Sequence, residues 1–435
     1  MTLRWIPAEL HTHTFHSDGS QSLEELAQSA KQAGIDVIAL TDHNTQSGFM
    51  DRNRVETSTG VRVIAGMEWT TFYGHMVTLG LQQYVDWRAV GQRDIEKGIA
   101  QVHQAGGIAG IVHPFRIGSP ICTGCYWEYP VHDWSQIDYI EVWSTLMPFV
   151  KQDSQRAFAL WTSLLNEGHR LAATSGRDWH RTLPEDAPAA ITYIGLEPAV
   201  EVQDIHMAEY TNIVGNQNGA DMQNGAYQHN GAYEQNGSHE QTEMNPSHLS
   251  NDRNKIHDWH VAAQRTFAQL QDDRQYIDAI RSGRLSVTMG PMLDLYAVVP
   301  RQDTDRQQSL SAVKNLDSDV SVGSSLSSLP EISSDEQRIY RMGDTIDCPN
   351  ERLDLYMQLD RSTRRSHYEL TAQQLRVVVM SDKGILAETK LDSEQLWQEW
   401  NVEVNKPMRW LRAELYGYFG GVSGMLAFTN AIYID

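Results

Sequence analysis

Short apolar runs alternate with amphipathic stretches through the N-terminal part of the chain, and that alternation restricts the fold to repeated β-then-α units. Residues 8–13 read as a short strand. Residues 22–34 read as a helix, with Leu23, Leu26, Ala27 and Ala30 on one face and Gly34 as its stop. Residues 35–41, IDVIALT, have the continuous apolar character of a buried parallel strand. Further strands are expected at 61–67, 108–112, 137–143 and 170–174, and helices at 94–105 and 155–166. Such units build an α/β fold around a parallel sheet or barrel. Polar residues follow these runs: His13, Asp42 with His43, Glu68, His113 and Asp178. In parallel sheets and barrels, the carboxyl ends of strands carry the chemistry.

The pattern changes beyond residue 202. Residues 203–254 are polar and repetitive, with Asn-Gly at Asn218, Asn224, Asn230 and Asn236, every six residues. So few aliphatic groups cannot offset the entropy of ordering, and the segment is expected to be a low-complexity disordered insertion. For a hexapeptide β-helix the repeats are too few and too polar. Residues 255–299 form a return segment that completes the 1–202 domain, with a helix at 276–281 and strands at 285–288 and 293–299. Residues 300–336, rich in Ser, Asp and Gln, read as a flexible loop. In 337–435, strand patterns at 353–359, 375–380, 400–404, 409–416 and 426–435 without good helices predict a C-terminal β-sandwich-like domain.

The 435 residues include 40% hydrophobic side chains, which excludes global disorder. The formal net charge of −21 repels long polyanions, so duplex nucleic acid is not an expected partner. A small phosphate ester is compatible with that charge where metal ions reverse the local field. Three cysteines are too few for a disulfide framework and point to a reducing compartment. Residues 1–7 lack a basic segment followed by an apolar run, and no apolar stretch is long enough to span a bilayer. The expectation is a cytoplasmic protein with no membrane partner.

Nine residues stand out as metal ligands: His11, His13, Asp18, His43, Glu68, His75, His113, Asp178 and His180. His11 and His13 are two apart on a strand, so their side chains share a face and can grip one ion. Asp178 and His180 repeat the spacing after another strand. Imidazole and carboxylate donors suit Zn, Mn or Fe, and the scarcity of thiols disfavours a structural zinc site. Any one of these histidines alone is more often a surface or core residue than a ligand. Together, as structural residues, they would leave many buried polar groups unsatisfied at strand ends.

The segments ELHTHTFHSDG at 9–19, ALTDHN at 39–44, GMEW at 66–69 with His75 beyond it, VHPF at 112–115 and SGRDWH at 175–180 stand in an order that resembles the PHP (polymerase and histidinol phosphatase) family. The resemblance covers about the first 200 residues and returns near 282–293. EVW at 141–143, GRLSVTMGPML at 283–293 and LAFTNAIYID at 426–435 resemble the layout of CehA/McbA-type metallohydrolases within that superfamily. It implies a distorted (β/α)7 TIM-like barrel holding two or three divalent ions. By that resemblance, His11, His13, Glu68 and Asp178 bind a first ion. Glu68 bridges to a second, also held by His75 and His113. Asp18, His43 and His180 bind a third. The implied activity is hydrolysis of a small phosphate ester by metal-bound hydroxide, with Glu68, Asp178, His43 and Arg116 as the catalytic set. The CehA/McbA-like layout implies a carboxylic ester or carbamate as the alternative. A non-catalytic regulatory module would show missing ligands, and none of the nine positions is missing.

Other residues have two readings each. Asp42 orients an imidazole or caps the loop after its strand. Arg116 reaches a substrate phosphate or carboxylate, or makes a surface salt bridge. His16 is a proton shuttle or an exposed loop histidine. Arg177 stands where relatives often have a small residue, and its role is open. Cys122 and Cys125 read as loop thiols near the site mouth, or as a reversible disulfide. His229, His239 and His248 read as solvated residues of the insertion. Gly283, Gly290, Gly420 and Gly421 read as turns, because no phosphate-loop lysine pattern follows them.

Overall fold

A computed structural model describes residues 3–81, 83–117, 124–183, 189–197, 273–299, 338–347, 352–364, 367–368, 373–392, 395–403 and 408–435. The insertion expected at 203–254, the loop expected at 300–336 and Cys122 lie outside the described residues. The described part belongs to one unit, Met1–Glu197 with Leu270–Asp435.

The first elements are β1 (Arg4–Thr12), α1 (Leu23–Gln32), β2 (Val37–Leu40), α2 (Arg52–Thr59), β3 (Arg62–Thr71) and β4 (Gly74–Leu79). α3 (Ile95–Gln104), β5 (Ile108–Ile111), β6 (Tyr139–Ser144), α4 (Gln152–Glu167), β7 (Ala172–Gly176) and β8 (Ile191–Leu196) follow. Strands β1, β2 and β3 are parallel, as are β5, β6 and β7. β4 lies antiparallel between β3 and β5.

Local signals set these boundaries. Ser22 caps α1 in a reciprocal capping box with Glu25, and Leu23, Leu26, Ala27 and Ala30 are buried on one face. Such a cap contributes about 1 kcal/mol. α4 buries Trp161, Leu164 and Leu165 and ends at Gly168, whose φ of 95° closes the last turn. Every residue of β2 is buried, which explains its uninterrupted apolar run.

A helix at 273–282, α5, leads into β9 (Leu285–Thr288) and β10 (Met292–Val298). Then come β11 (Ile339–Arg341), β12 (Thr345–Ile346), β13 (Arg352–Asp360), β14 (Leu375–Ser381), β15 (Gly384–Leu391), β16 (Trp397–Glu403), β17 (Trp410–Phe419), β18 (Val422–Thr429) and β19 (Ile432–Ile434). The chain is thus an α/β fold with an additional β-rich region. One ladder runs β12-β19-β17-β18-β9-β8-β1-β2-β3-β4-β5-β6-β7, with β14 on β17 and β15 on β14. A second sheet has the order β11-β10-β13-β16. Sequence periodicity missed α2, β4, β8, β11, β12 and β15. β4 in particular follows β3 through a two-residue turn at Phe72–Tyr73, with Thr71 paired to Gly74, so it breaks the β-then-α rhythm.

Two side chains tie distant strands together. Asn430 accepts the Ala173 N–H at 2.7 Å and donates to the Ala173 carbonyl at 2.9 Å, so its amide imitates a neighbouring peptide against β7. Phe428 of β18 meets Trp143 edge-on at 5.0 Å, joining the β-rich region to the apolar core around α4. Among the described residues, no helix is long and apolar enough to cross a membrane.

Candidate metal centre

Of the nine residues singled out by the sequence, Glu68 lies in the second half of β3, His75 near the start of β4, Asp18 in the loop after β1 and the others at or shortly past the ends of β1, β2, β5 and β7, and the structure gathers them into three groups. His11, His13, Glu68 and Asp178 form one; Glu68, His75 and His113 a second; Asp18, His43 and His180, with His13 beside them, a third. Within each group the donor atoms lie within 4.8 Å of one another.

Strand ends and tight turns do the gathering. His11 and His13 project from the end of β1, which the segment after β7 meets: the His13 N–H donates to Trp179 O and the Trp179 N–H to His11 O, both at 3.0 Å. That pairing brings Asp178 and His180 beside the first histidines. His113 (φ 32°) and Asp178 (φ 55°) both adopt left-handed backbone conformations directly after β5 and β7. Non-glycine residues occupy that region at a cost, and such positions cluster at functional sites. The β3–β4 hairpin pairs Thr70 with His75 and so sets His75 near Glu68.

Glu68 is the hub. Its Oε1 lies 2.8 Å from His75 Nδ1 and 3.2 Å from His113 Nε2. Its Oε2 lies 3.2 Å from His11 Nε2, 3.3 Å from His13 Nε2 and 2.9 Å from His43 Nδ1. Asp178 Oδ1 lies 2.9 Å from His13 Nε2 and 3.3 Å from His11 Nε2. Asp18 Oδ1 lies 3.1 Å from His180 Nε2 and 3.4 Å from His43 Nε2. Glu68 is fully buried and Asp18 is 57% exposed, so the centre opens to solvent on the Asp18 side.

Burial disfavours the charged form of Glu68, yet the His11, His113 and His43 imidazoles hold its carboxyl well below the usual carboxylate range. Asp178 is likewise held low against burial by His11, His13 and Arg116. Burial, with Arg116 behind it, pushes His113 down to about 4, and burial also lowers His13. These rings are neutral at physiological pH, the form that binds a cation.

The donor set fits divalent ions. Six of the nine residues (His11, His13, Glu68, His75, His113 and Asp178) present a buried ring nitrogen or carboxylate oxygen with no hydrogen-bond partner. Buried polar atoms ordinarily find partners, and cations at these groups would satisfy them. The donors are imidazoles and carboxylates throughout, as Zn, Mn and Fe accept.

Several surrounding residues have defined places. Asp42 hydrogen-bonds to no imidazole among the described residues. Its carboxylate accepts the Thr14 N–H at 2.7 Å and the hydroxyls of Thr14 and Ser17 at 2.8 and 2.7 Å, bracing the loop that carries Asp18. Arg116 donates to Asp178 Oδ2 and to Ser144 Oγ. His16 is outside the three groups, with Nδ1 2.8 Å from Ser47 Oγ. The Arg177 guanidinium lies over the Trp179 ring at 4.1 Å. Cys125 is buried.

Sequence reading missed Glu141 as a participant. Its Oε2 accepts from His11 Nδ1 at 2.7 Å, and both side chains are buried. The signal was present: a carboxylate amid the apolar run of β6 has no reason to be buried without a partner.

A model of the PHP domain matches residues 9–98. An uncharacterized protein of Methanocaldococcus jannaschii is 32% identical over 128 residues, covering 27% of this chain and 71% of that protein. The phosphoribosyl 1,2-cyclic phosphate 1,2-diphosphodiesterase of Eggerthella lenta is 30% identical over 81 residues, covering 17% of this chain and 31% of that enzyme. A solved two-domain protein from Bacteroides vulgatus, containing a predicted PHP-like metal-dependent phosphoesterase, aligns with 99% of this chain and 96% of its own at 12% identity and a TM-score of 0.44.

Proposed function

Because the chain belongs to the PHP domain family, we propose that it is a metal-dependent hydrolase that acts on a small phosphate ester. The observation that carries this reading is the set of three donor groups with shared members, Glu68 common to two of them and His13 common to the first and third. On this reading, the carboxyl ends of strands of a distorted (β/α)7 barrel present the ligands, and the β-rich region, part of which continues the same ladder, is β-sandwich-like.

His11, His13, Glu68 and Asp178 would hold one ion, Glu68, His75 and His113 a second, and Asp18, His43 and His180 a third. Bound divalent ions supply Lewis-acid polarisation of a phosphoryl oxygen and a water acidic enough to react near neutral pH. The protein's own contribution is placement. Glu68 fixes the spacing of two groups with its two oxygens. Arg116 grips Asp178 Oδ2 and leaves Oδ1 toward His11 and His13, which makes it a positioning residue. Asp18, His43 and His180 line the exposed side, where substrate enters. The activity of the Eggerthella lenta relative on a phosphodiester supports this choice of bond.

The test is a substrate panel on protein loaded with Zn, Mn or Fe. Release of phosphate or p-nitrophenol from p-nitrophenyl phosphate or bis(p-nitrophenyl) phosphate is expected. Cleavage of 1-naphthyl acetate or carbaryl with both phosphoesters untouched would overturn the phosphoester reading.

A further inference from the structure

β6 contributes none of the nine donors, yet two of its side chains reach the centre. Ladder pairing between β6 and β7 shifts register between Glu141 and Trp143. Regular alternation would place Glu141 and Ser144 on opposite faces, and an irregularity of this kind re-aims the residues beyond it. Glu141 thereby meets His11, and Ser144 meets Arg116, which in turn grips Asp178. Trp143 turns instead into the apolar core against Phe428.

The room for Glu141 is specific. A Cβ added at Gly176 would lie 2.1 Å from Glu141 Oε2 and 2.7 Å from His11 Cβ. Glycine at 176 is therefore a condition for the carboxylate to stand behind the imidazole. A carboxyl group buried to this degree is costly unless it is engaged, and among the described residues the hydrogen bond to Glu141 comes from the His11 ring.

We propose that Glu141 is a positioning residue of the metal centre, holding His11 in the form protonated on Nδ1 and aiming Nε2 at Glu68 and Asp178. The carboxylate accepts the Nδ1 proton, so the lone pair is left on Nε2, 3.2 Å from Glu68 Oε2 and 3.3 Å from Asp178 Oδ1. A ring free to rotate or to exchange tautomers presents that lone pair only part of the time. The negative charge also makes the imidazole a stronger donor. This inference rests on the reading of His11 as a ligand.

The test uses full-length protein stripped of metal, with zinc titrated against a fluorescent chelator. Glu141→Ala is expected to weaken the tightest zinc site about 10- to 100-fold, with Glu141→Gln, which still accepts the Nδ1 proton but lacks charge, in between. Thermal unfolding with and without zinc separates this from a packing role: the increment that zinc adds to Tm shrinks in the variants. If Glu141→Ala does not fold, the isosteric Gln variant carries the comparison. Wild-type zinc affinity in the folded variants, or a loss of Tm that is the same with and without zinc, would overturn the role of Glu141 alone. Wild-type protein that binds no zinc, manganese or iron would overturn the ligand reading with it.

Discussion

Glu68 points one oxygen at His75, Oε1 to Nδ1 at 2.8 Å, and turns the other toward His11, His13 and His43. One carboxylate thus belongs to two donor groups at once. No other side chain in the centre divides its two oxygens this way among the described residues: Asp178 gives its second oxygen to Arg116.

Glu68→Gln replaces an oxygen with an amide nitrogen that cannot coordinate a cation. It is expected to lower turnover by more than about a hundredfold and to lower metal content in both groups that share Glu68. Elemental analysis after desalting, alongside a phosphoester assay, measures both. Full activity after reloading would remove Glu68 from its bridging place.

Asp18 is the most exposed member, and its group meets the others through its histidines: His13 is shared, His43 Nδ1 lies 2.9 Å from Glu68 Oε2 and His180 Nδ1 3.5 Å from Asp178 Oδ1. Asp18→Ala is expected to cost one ion per chain while the two groups around Glu68 keep theirs. Metal-to-protein ratios in the variant decide it. Loss of every ion would show that the third group is not separable.

Gly176→Ala drives a methyl into Glu141 and His11. Overpacking of this kind destabilises by about 1–3 kcal/mol. Urea unfolding should register that loss, and zinc affinity should fall with it. An unchanged urea midpoint would mean that β6 and β7 separate more easily than their ladder implies.

Asp294 is buried in β10 with Trp5 Nε1–H donating to Oδ2 at 3.3 Å, and burial pushes its carboxyl up from 3.8. The folded chain therefore keeps this proton at pH values where the unfolded chain has released it. The group's contribution to stability falls as pH rises from 3.8 through the raised value. Asp294→Asn is expected to stabilise by about 1–3 kcal/mol near neutral pH, with the gain vanishing in acid. Equal urea midpoints for variant and wild type near neutral pH would contradict this.

Much of the centre was legible because ligands at strand ends interrupt apolar runs. IDVIALT followed by Asp42 and His43 corresponds to β2, Val37–Leu40, and the helix expected at 22–34 spans Leu23–Gln32. The Asn-Gly repeats concern residues outside those described, so they bear on none of this. β4 was illegible for a physical reason: its hairpin turn, Phe72–Tyr73, lacks the Asn-Gly or Asp-Gly signature that marks a two-residue turn. Glu141 and Ser144 escaped notice because a register irregularity, invisible in a list of residue types, decides which way they face.

Asn430 has a consequence for the order of synthesis. Its amide serves Ala173 across 257 residues of chain, and β9, which seats beside β8, also comes late. A nascent chain that has just extruded Asp178 and His180 holds all nine donors but not the amide that finishes the β7 edge. Long-range closures of this kind are slow, and an incomplete sheet edge invites pairing with other chains. Ions captured early by the proposed centre would help the nascent N-terminal part to hold its shape until the far end of the polypeptide arrives.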